Sequence, residues 1–136
     1  MHIEAYVFFN GTCEEAFTFY QSALGGELNF NRYEGSPMES QAPPDARNKI
    51  MHASLKSGDA VLMGADAVGD WERVIGNNVA LSLVSHDENE GKRAFQLLAQ
   101  GGKITMELAP TFWGAKLFGI LTDKFGIDWM VSCYGE

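Results

Sequence analysis

Cysteine and basic residues are both scarce in this chain of 136 residues. Only two cysteines occur, Cys13 and Cys133, which argues against a secreted scaffold held by disulfides and favours a reducing, cytoplasmic location. Ten Lys and Arg stand against eighteen Asp and Glu, giving a formal charge of −8. Because that charge repels phosphate backbones and anionic lipid surfaces, we expect no nucleic-acid or membrane partner.

Long hydrophobic runs are also missing. No apolar segment approaches the ~20 residues needed to cross a bilayer, and the N-terminal MHIEAYVFFNG lacks the basic region of a signal peptide. The chain does contain 46% hydrophobic and 21% charged residues, which is the composition of a soluble globular protein. At this length we expect one ordinary domain or two very small modules that share a core.

Two segments of the sequence repeat the same order of predicted elements. AYVFFNGTCEEAFTFYQSALGGELNF, from Ala5, and VALSLVSHDENEGKRAFQLLAQGGKITM, from Val79, each predict a strand, a helix, a Gly-Gly stop and another strand. Thr12 and Ser85 are the predicted N-caps, each with a glutamate three positions later in a capping box. Downstream, IMHASLKSGDAVLMGAD and LFGILTDKFGIDWMVSC each predict two strands joined by a glycine turn.

These patterns predict a single α+β domain, 1–136, built from two βαβββ modules. Module one covers about 1–66, a linker covers about 67–77, and module two covers about 78–136. Within module one, the segment SPMESQAPPDARNK, 36–49, holds three of the four prolines and is predicted to be a loop. A loop of that length commonly covers a site or moves.

Three motifs carry a resemblance to a known family: FNGTCEEAFTFYQSALGGEL, IMHASLKSGDAVLMGAD and TFWGAKLFGILTDKFGIDWMV. They resemble the PhnB-like branch of the vicinal oxygen chelate superfamily, which contains glyoxalase, bleomycin-resistance and dioxygenase proteins. The branch is also labelled as a 3-demethylubiquinone-9 3-methyltransferase domain. The resemblance spans nearly the whole chain. It implies a half-open barrel around a ligand cavity, and a homodimer in which modules pair across chains.

The resemblance also bears on metal binding. In metal-dependent members of the superfamily, His and Glu side chains at four strand positions hold a divalent ion. The matching positions here carry no such side chain: Ala5, Leu62, Asn78 and Met130. A slip of one residue brings in Glu4, Met63, Asn77 or Trp129, and would also turn each side chain to the other face of its strand. We therefore predict no metal and no other cofactor.

The predicted ligand-contacting residues are mostly apolar. If Ala5 faces the cavity, alternation along the strand predicts that Val7 and Phe9 face it too. The remaining candidates come from both modules: His52, Leu62, Asn78, Trp113 and Trp129. Such a lining suits a small, partly apolar molecule.

Few residues are candidates for chemistry. His52 lies in a predicted strand, where it is either a general base, an anchor for a ligand anion, or a packed and hydrogen-bonded histidine. Cys13 opens the first helix, where the helix dipole lowers a thiol pKa, although no histidine lies near it in sequence. Trp113 fits a cavity rim or packing between modules. Asp123 and Gly126 are predicted to form the turn of the last hairpin.

Two classes of function follow. The first is a metal-free protein that binds a small molecule. The second is an enzyme, a lyase, isomerase or transferase, that acts on a small oxygenated or phosphonate-like compound with His52 as base or ligand. The chain has no Gly-rich loop between a strand and a helix of the kind that binds adenosyl or dinucleotide groups. A literal methyltransferase is therefore not expected.

Overall fold

The computed structural model describes residues 1–71 and 73–135. They form two compact units, Met1–Val74 and Ile75–Glu136, which we call the first and second modules. The first module contains β1 (Ala5–Phe9), α1 (Cys13–Leu24), β2 (Glu27–Arg32), β3 (Ile50–Ser57) and β4 (Ala60–Asp66). The second contains β5 (Ala80–Ser85), α2 (Glu88–Leu98), β6 (Lys103–Ala109), β7 (Leu117–Thr122) and β8 (Asp128–Cys133). Short 3-10 turns lie at Glu39–Gln41, Pro44–Ala46 and Gly69–Trp71.

Each module is one helix packed on a four-stranded sheet. The strand orders are β1-β4-β3-β2 and β5-β8-β7-β6, and neither sheet closes on itself. In each module the first and last strands are parallel neighbours, whereas the hairpin strands pair antiparallel. The predicted α+β class and the repeated β-α-β-β-β order are confirmed.

The first helix is not capped as the sequence predicts. The Thr12 side chain makes no capping hydrogen bond. Instead, Oδ1 of Asp66, at the end of β4, accepts hydrogen bonds from the backbone N–H groups of Gly11 at 3.0 Å and Cys13 at 2.9 Å. Oδ2 of the same carboxylate accepts from Ile50 N–H at 2.9 Å. The predicted capping box is wrong here, because a carboxylate from a distant strand satisfies the free N–H groups.

The N-cap of the second helix lies two residues after the predicted one, Ser85. Asp87 is the N-cap, and its side chain accepts from the backbone N–H groups of Asn89 and Glu90. The Ser85 hydroxyl supports this turn by donating to the Asp87 carbonyl at 2.9 Å. Ser85, the last residue of β5, and Asp87 both precede the helix, and the Asp87 carboxylate takes the capping position.

The hydrophobic core of the first module lies between the sheet and α1. Phe17 and Tyr20 of the helix are fully buried, and the ring of Phe17 meets that of Phe9 edge-on at 6.1 Å. Gly64 lies directly beneath this contact, since a Cβ there would come within 2.7 Å of the Phe17 ring. We call the sheet side that packs on the helix the helix face, and the opposite side the open face.

Candidate ligand-binding site

The side chains of β1 that are predicted to line a ligand cavity face the helix instead. Phe9 is 5% exposed and packs on α1, and Val7 shares this face because alternate strand residues point the same way. Leu62, the β4 partner of Ala5, is 6% exposed and also lies on the helix face. The face predicted for Val7, Phe9 and Leu62 is therefore wrong. All four residues from Tyr6 to Phe9 are apolar or aromatic. The sequence pattern therefore does not decide whether Tyr6 and Phe8 or Val7 and Phe9 pack on α1.

The open face of β1 carries Tyr6 and Phe8, which sequence reasoning missed. Their rings lie 5.1 Å apart, and they are 39% and 41% exposed. The Tyr6 hydroxyl is hydrogen-bonded to Nδ1 of His52 at 3.0 Å, so the candidate histidine lies on this same face. The structure thus brings His52 together with two aromatic side chains.

A small cleft of about 200 Å³ lies on this face of the first module. It occupies the carboxyl ends of the parallel strands β1 and β4 and is walled largely by aromatic and thioether side chains. These are Tyr6, Phe8, Tyr33, Met38, Met51 and Trp71. Met38 belongs to the proline-rich loop 36–49, so that loop forms part of the wall. Pockets for drug-sized ligands span roughly 300–1,000 Å³, so this cleft suits a smaller molecule.

A positively charged side chain lies at the cleft. Arg73 lines it, and the guanidinium carbon lies 4.3 Å from the centre of the Phe8 ring. The Arg73 backbone is fixed by Asn10, whose side-chain amide donates to the Arg73 carbonyl at 2.8 Å and accepts from its N–H at 2.9 Å. Asn10 therefore holds both the N–H and the carbonyl of Arg73 and fixes the backbone from which the guanidinium reaches Phe8.

The two tyrosines of the cleft are hydrogen-bond donors at neutral pH. Burial raises the pKa of the Tyr6 hydroxyl above its ordinary value, and neighbouring Cys13 and Tyr33 raise it further. Burial and the Asp66 carboxylate likewise raise the pKa of Tyr33. The Tyr33 hydroxyl donates to the Asp66 carbonyl at 3.0 Å, so Tyr6 is the phenol that faces the histidine.

Ala5 and Leu62, two of the positions matched to the superfamily's metal ligands, are paired on the helix face and carry no ligand side chain. On the open face, β1 and β4 place Tyr6 beside Met63, and β5 and β8 place Ser82 beside Met130. Over residues 1–71 and 73–135, no group of three or more His, Cys, Asp or Glu is arranged to hold a metal ion. These residues do not fit a divalent ion held by His and Glu.

The candidates in the second module have separate locations. Trp129 is 3% exposed on the helix face, and its indole N–H donates to Oδ2 of Asp123 at 2.9 Å. The structure thus places Trp129 in the packing of the helix face, whereas a cavity lining is predicted for it. Asn78 is exposed in the bend before β5. Trp113 is 53% exposed, and its ring meets Phe118 on the open face of β7 at 5.3 Å.

The turn of the last hairpin and the thiol of Cys13 are structural features. Oδ1 of Asp123 accepts from the N–H groups of Phe125 at 2.8 Å and Ile127 at 3.1 Å, and Gly126 has φ 87°, so the predicted turn is confirmed. Cys13 is fully buried. Burial and the Asp66 carboxylate raise the pKa of its thiol far above the ordinary range, which is opposite to the activation expected from the helix dipole.

The architecture and the cleft define a class: two-module βαβββ proteins with an open sheet face. The profile of the Glyoxalase/Bleomycin resistance protein/Dioxygenase superfamily matches residues 2–131, and the chain belongs to that superfamily. It is 35% identical to protein YjdN of Escherichia coli (strain K12), over 97% of this chain and 95% of that protein.

Two solved structures extend this likeness. Protein PA1353 from Pseudomonas aeruginosa is 39% identical with a TM-score of 0.88, over 100% of this chain and 99% of that one. The PhnB protein from Bacillus cereus, which carries the 3-demethylubiquinone-9 3-methyltransferase label, is 25% identical with a TM-score of 0.75, over 98% and 99% of the two chains. The resemblance to the PhnB-like branch is confirmed. Within the described ranges, no helix is long and apolar enough to span a membrane.

Proposed function

We propose that this protein binds a small, partly apolar molecule in the cleft of the first module, without a metal. The observation that carries the proposal is the cluster of Tyr6, Phe8 and Trp71 around one hollow, where they remain 39%, 41% and 48% exposed. Partly exposed aromatic side chains gathered at one site mark a binding surface more often than scattered ones do. Their rings supply area for a ligand, and the phenol and guanidinium supply orientation.

The size of the cleft limits what it encloses. A volume of about 200 Å³ accommodates one ring or a short aliphatic chain with a polar head. Met38 and Met51 add flexible, polarisable walls that adapt to the shape of the apolar part. We therefore expect a compact ligand in which only one end is polar.

The test is ligand-observed and protein-observed NMR with small ring and chain compounds. Binding should shift the resonances of Tyr6, Phe8 and Trp71, and Phe8→Ala should weaken it by about tenfold, the loss expected when about 1.4 kcal/mol of contact energy is removed. Phe125→Ala, in the hairpin turn of the second module, is the matched control and should leave affinity unchanged. Shifts confined to other residues would refute the proposal.

A second candidate is supported by the hydrogen bond between Tyr6 and His52. In the tautomer whose Nδ1 accepts, the Tyr6 phenol can pass its proton to the imidazole while it takes a proton from a bound substrate, which is general acid–base catalysis. In this enzyme of lyase, isomerase or transferase type, His52→Gln would abolish turnover of a bound oxygenated acid and leave its affinity nearly unchanged. Equal loss of affinity and turnover would instead make His52 a binding residue.

Trp113 stays a proposed ligand contact on the second module. Its ring meets those of Phe112 and Phe118 edge-on, and the residue remains 53% exposed, which leaves area for a ligand. Quenching of Trp fluorescence on ligand addition, lost in Trp113→Phe and kept in Trp71→Phe, would support this contact. Quenching that depends on Trp71 alone would place the ligand only in the cleft.

A further inference from the structure

We infer that the ligand of this cleft is a small organic anion and that Arg73 binds its charged group. The inference rests on the proposed binding function and specifies the chemical class of the ligand. A carboxylate and a phosphonate share the relevant chemistry, because a guanidinium donates two parallel hydrogen bonds to either.

The guanidinium of Arg73 is placed to receive an anion. Its central carbon lies 4.3 Å from the centre of the Phe8 ring, and a guanidinium in such a cation–π contact retains N–H groups that can donate to an anion. Among residues 1–71 and 73–135, the ion pairs are His2 with Glu4, Arg32 with Glu14, and Lys92 with Glu88. Arg32 is held by two hydrogen bonds to Glu14, whereas the described carboxylates form no such pair with Arg73.

Asn10 acts as a positioning residue for this cation. It follows β1 directly, and its amide forms two hydrogen bonds to the Arg73 backbone. A flexible arginine loses entropy when it binds, and a fixed backbone reduces that loss. The clamp therefore keeps the guanidinium near Phe8 before any ligand arrives.

The acidic residue in the cleft wall does not cancel the cation. Asp66 lines the cleft, but both of its carboxylate oxygens accept backbone N–H groups, from Gly11 and Cys13 on one side and Ile50 on the other. These donors balance the carboxylate charge locally. In a chain of net charge −8, an anion is repelled from most of the surface, so its affinity for the cleft depends on Arg73.

The experiment compares charged and neutral probes of the same shape. Benzoate and phenylphosphonate are each compared with benzamide, and hexanoate is compared with hexanamide, with affinities taken from NMR shifts of Phe8 and Trp71. We expect each anion to bind about tenfold or more tightly than its neutral analogue. Arg73→Gln should remove this preference and leave the affinity for the amides unchanged, and Arg73→Lys should retain part of it.

The matched control is Arg47→Gln, an exposed arginine of the same module outside the cleft wall. It changes the net charge equally and should keep the preference for anions, while Asn10→Ala should reduce it. The anion inference would be overturned if the amides bound as tightly as the acids and Phe8→Ala abolished the binding of both. The proposed binding function would then still stand. No binding of any probe would overturn both. Thermal unfolding checks that each variant is folded.

Discussion

Asp66 satisfies a helix end and a strand end with one side chain. Its two carboxylate oxygens accept three backbone N–H groups, and its carbonyl accepts the Tyr33 hydroxyl. The side chain is 2% exposed, so water does not replace these bonds when the carboxylate is removed. The same residue therefore shapes the cleft wall and the start of α1.

Removal of this carboxylate should destabilise the protein strongly. Asp66→Ala leaves three backbone donors without their partner, and each buried unsatisfied group costs about 1–3 kcal/mol, so we expect a loss of roughly 3–5 kcal/mol. Urea unfolding followed by circular dichroism measures it. Asp59→Ala, in the exposed turn between β3 and β4, is the control. A loss below about 1 kcal/mol for Asp66→Ala would mean that the N–H groups find other acceptors.

Both cysteines should be unreactive in the folded protein. Cys13 and Cys133 are fully buried, and burial raises the pKa of each thiol above its ordinary value, so little thiolate forms at neutral pH. Iodoacetamide labelling followed by mass spectrometry should modify neither site in native buffer and both in denaturant. Rapid labelling of Cys13 in the native state would restore it as a candidate nucleophile.

At the scale of helices and strands, the sequence predicts what its local patterns encode. The two helices and the Gly turns follow from apolar spacing and from turn residues such as Asp123 and Gly126. The helix caps and the cleft do not follow from local patterns, because they depend on contacts between distant segments. Asp66 lies 53 positions from the Cys13 N–H that it accepts. The prediction for β1 selects the wrong face because both of its faces are apolar, and only the position of Phe17 decides between them.

The close packing of α2 on β8 determines the effect of adding a side chain at Gly91. Gly91 is the fourth residue of α2, and inside a helix alanine is usually more stabilising than glycine by about 1 kcal/mol. Here a Cβ would come within 2.2 Å of the Cys133 sulfur. Gly91→Ala should therefore destabilise the protein by about 1–3 kcal/mol, the cost of overpacking a core.

The double variant separates packing from helix propensity. Cys133→Ala removes the sulfur, so Gly91→Ala in that background should be neutral or stabilising. Thermal unfolding of the wild type, both single variants and the double variant gives the coupling energy. Additive effects would show that the contact between Gly91 and Cys133 does not limit this helix.

For the whole molecule, the described surface suggests what a partner copy would cover. The edge strand β6 is exposed at six of its seven positions, including Ile104 at 37% and Met106 at 49%. Two irregularities interrupt its pairing with β7. Edge strands with apolar side chains tend to pair with another chain unless they are covered. We therefore expect the homodimer implied by the family resemblance to bury β6.

Sedimentation equilibrium should give twice the chain mass of 14.9 kDa. Met106→Glu places a charge on the edge and should shift the equilibrium towards monomer, whereas Val74→Glu, at a site 94% exposed, should not. Two copies of net charge −8 repel each other, so the dimer should strengthen as salt screens that repulsion. A monomer at every concentration, or equal dissociation in both variants, would exclude β6 as the interface. Weaker association at high salt would instead indicate an interface held by ion pairs.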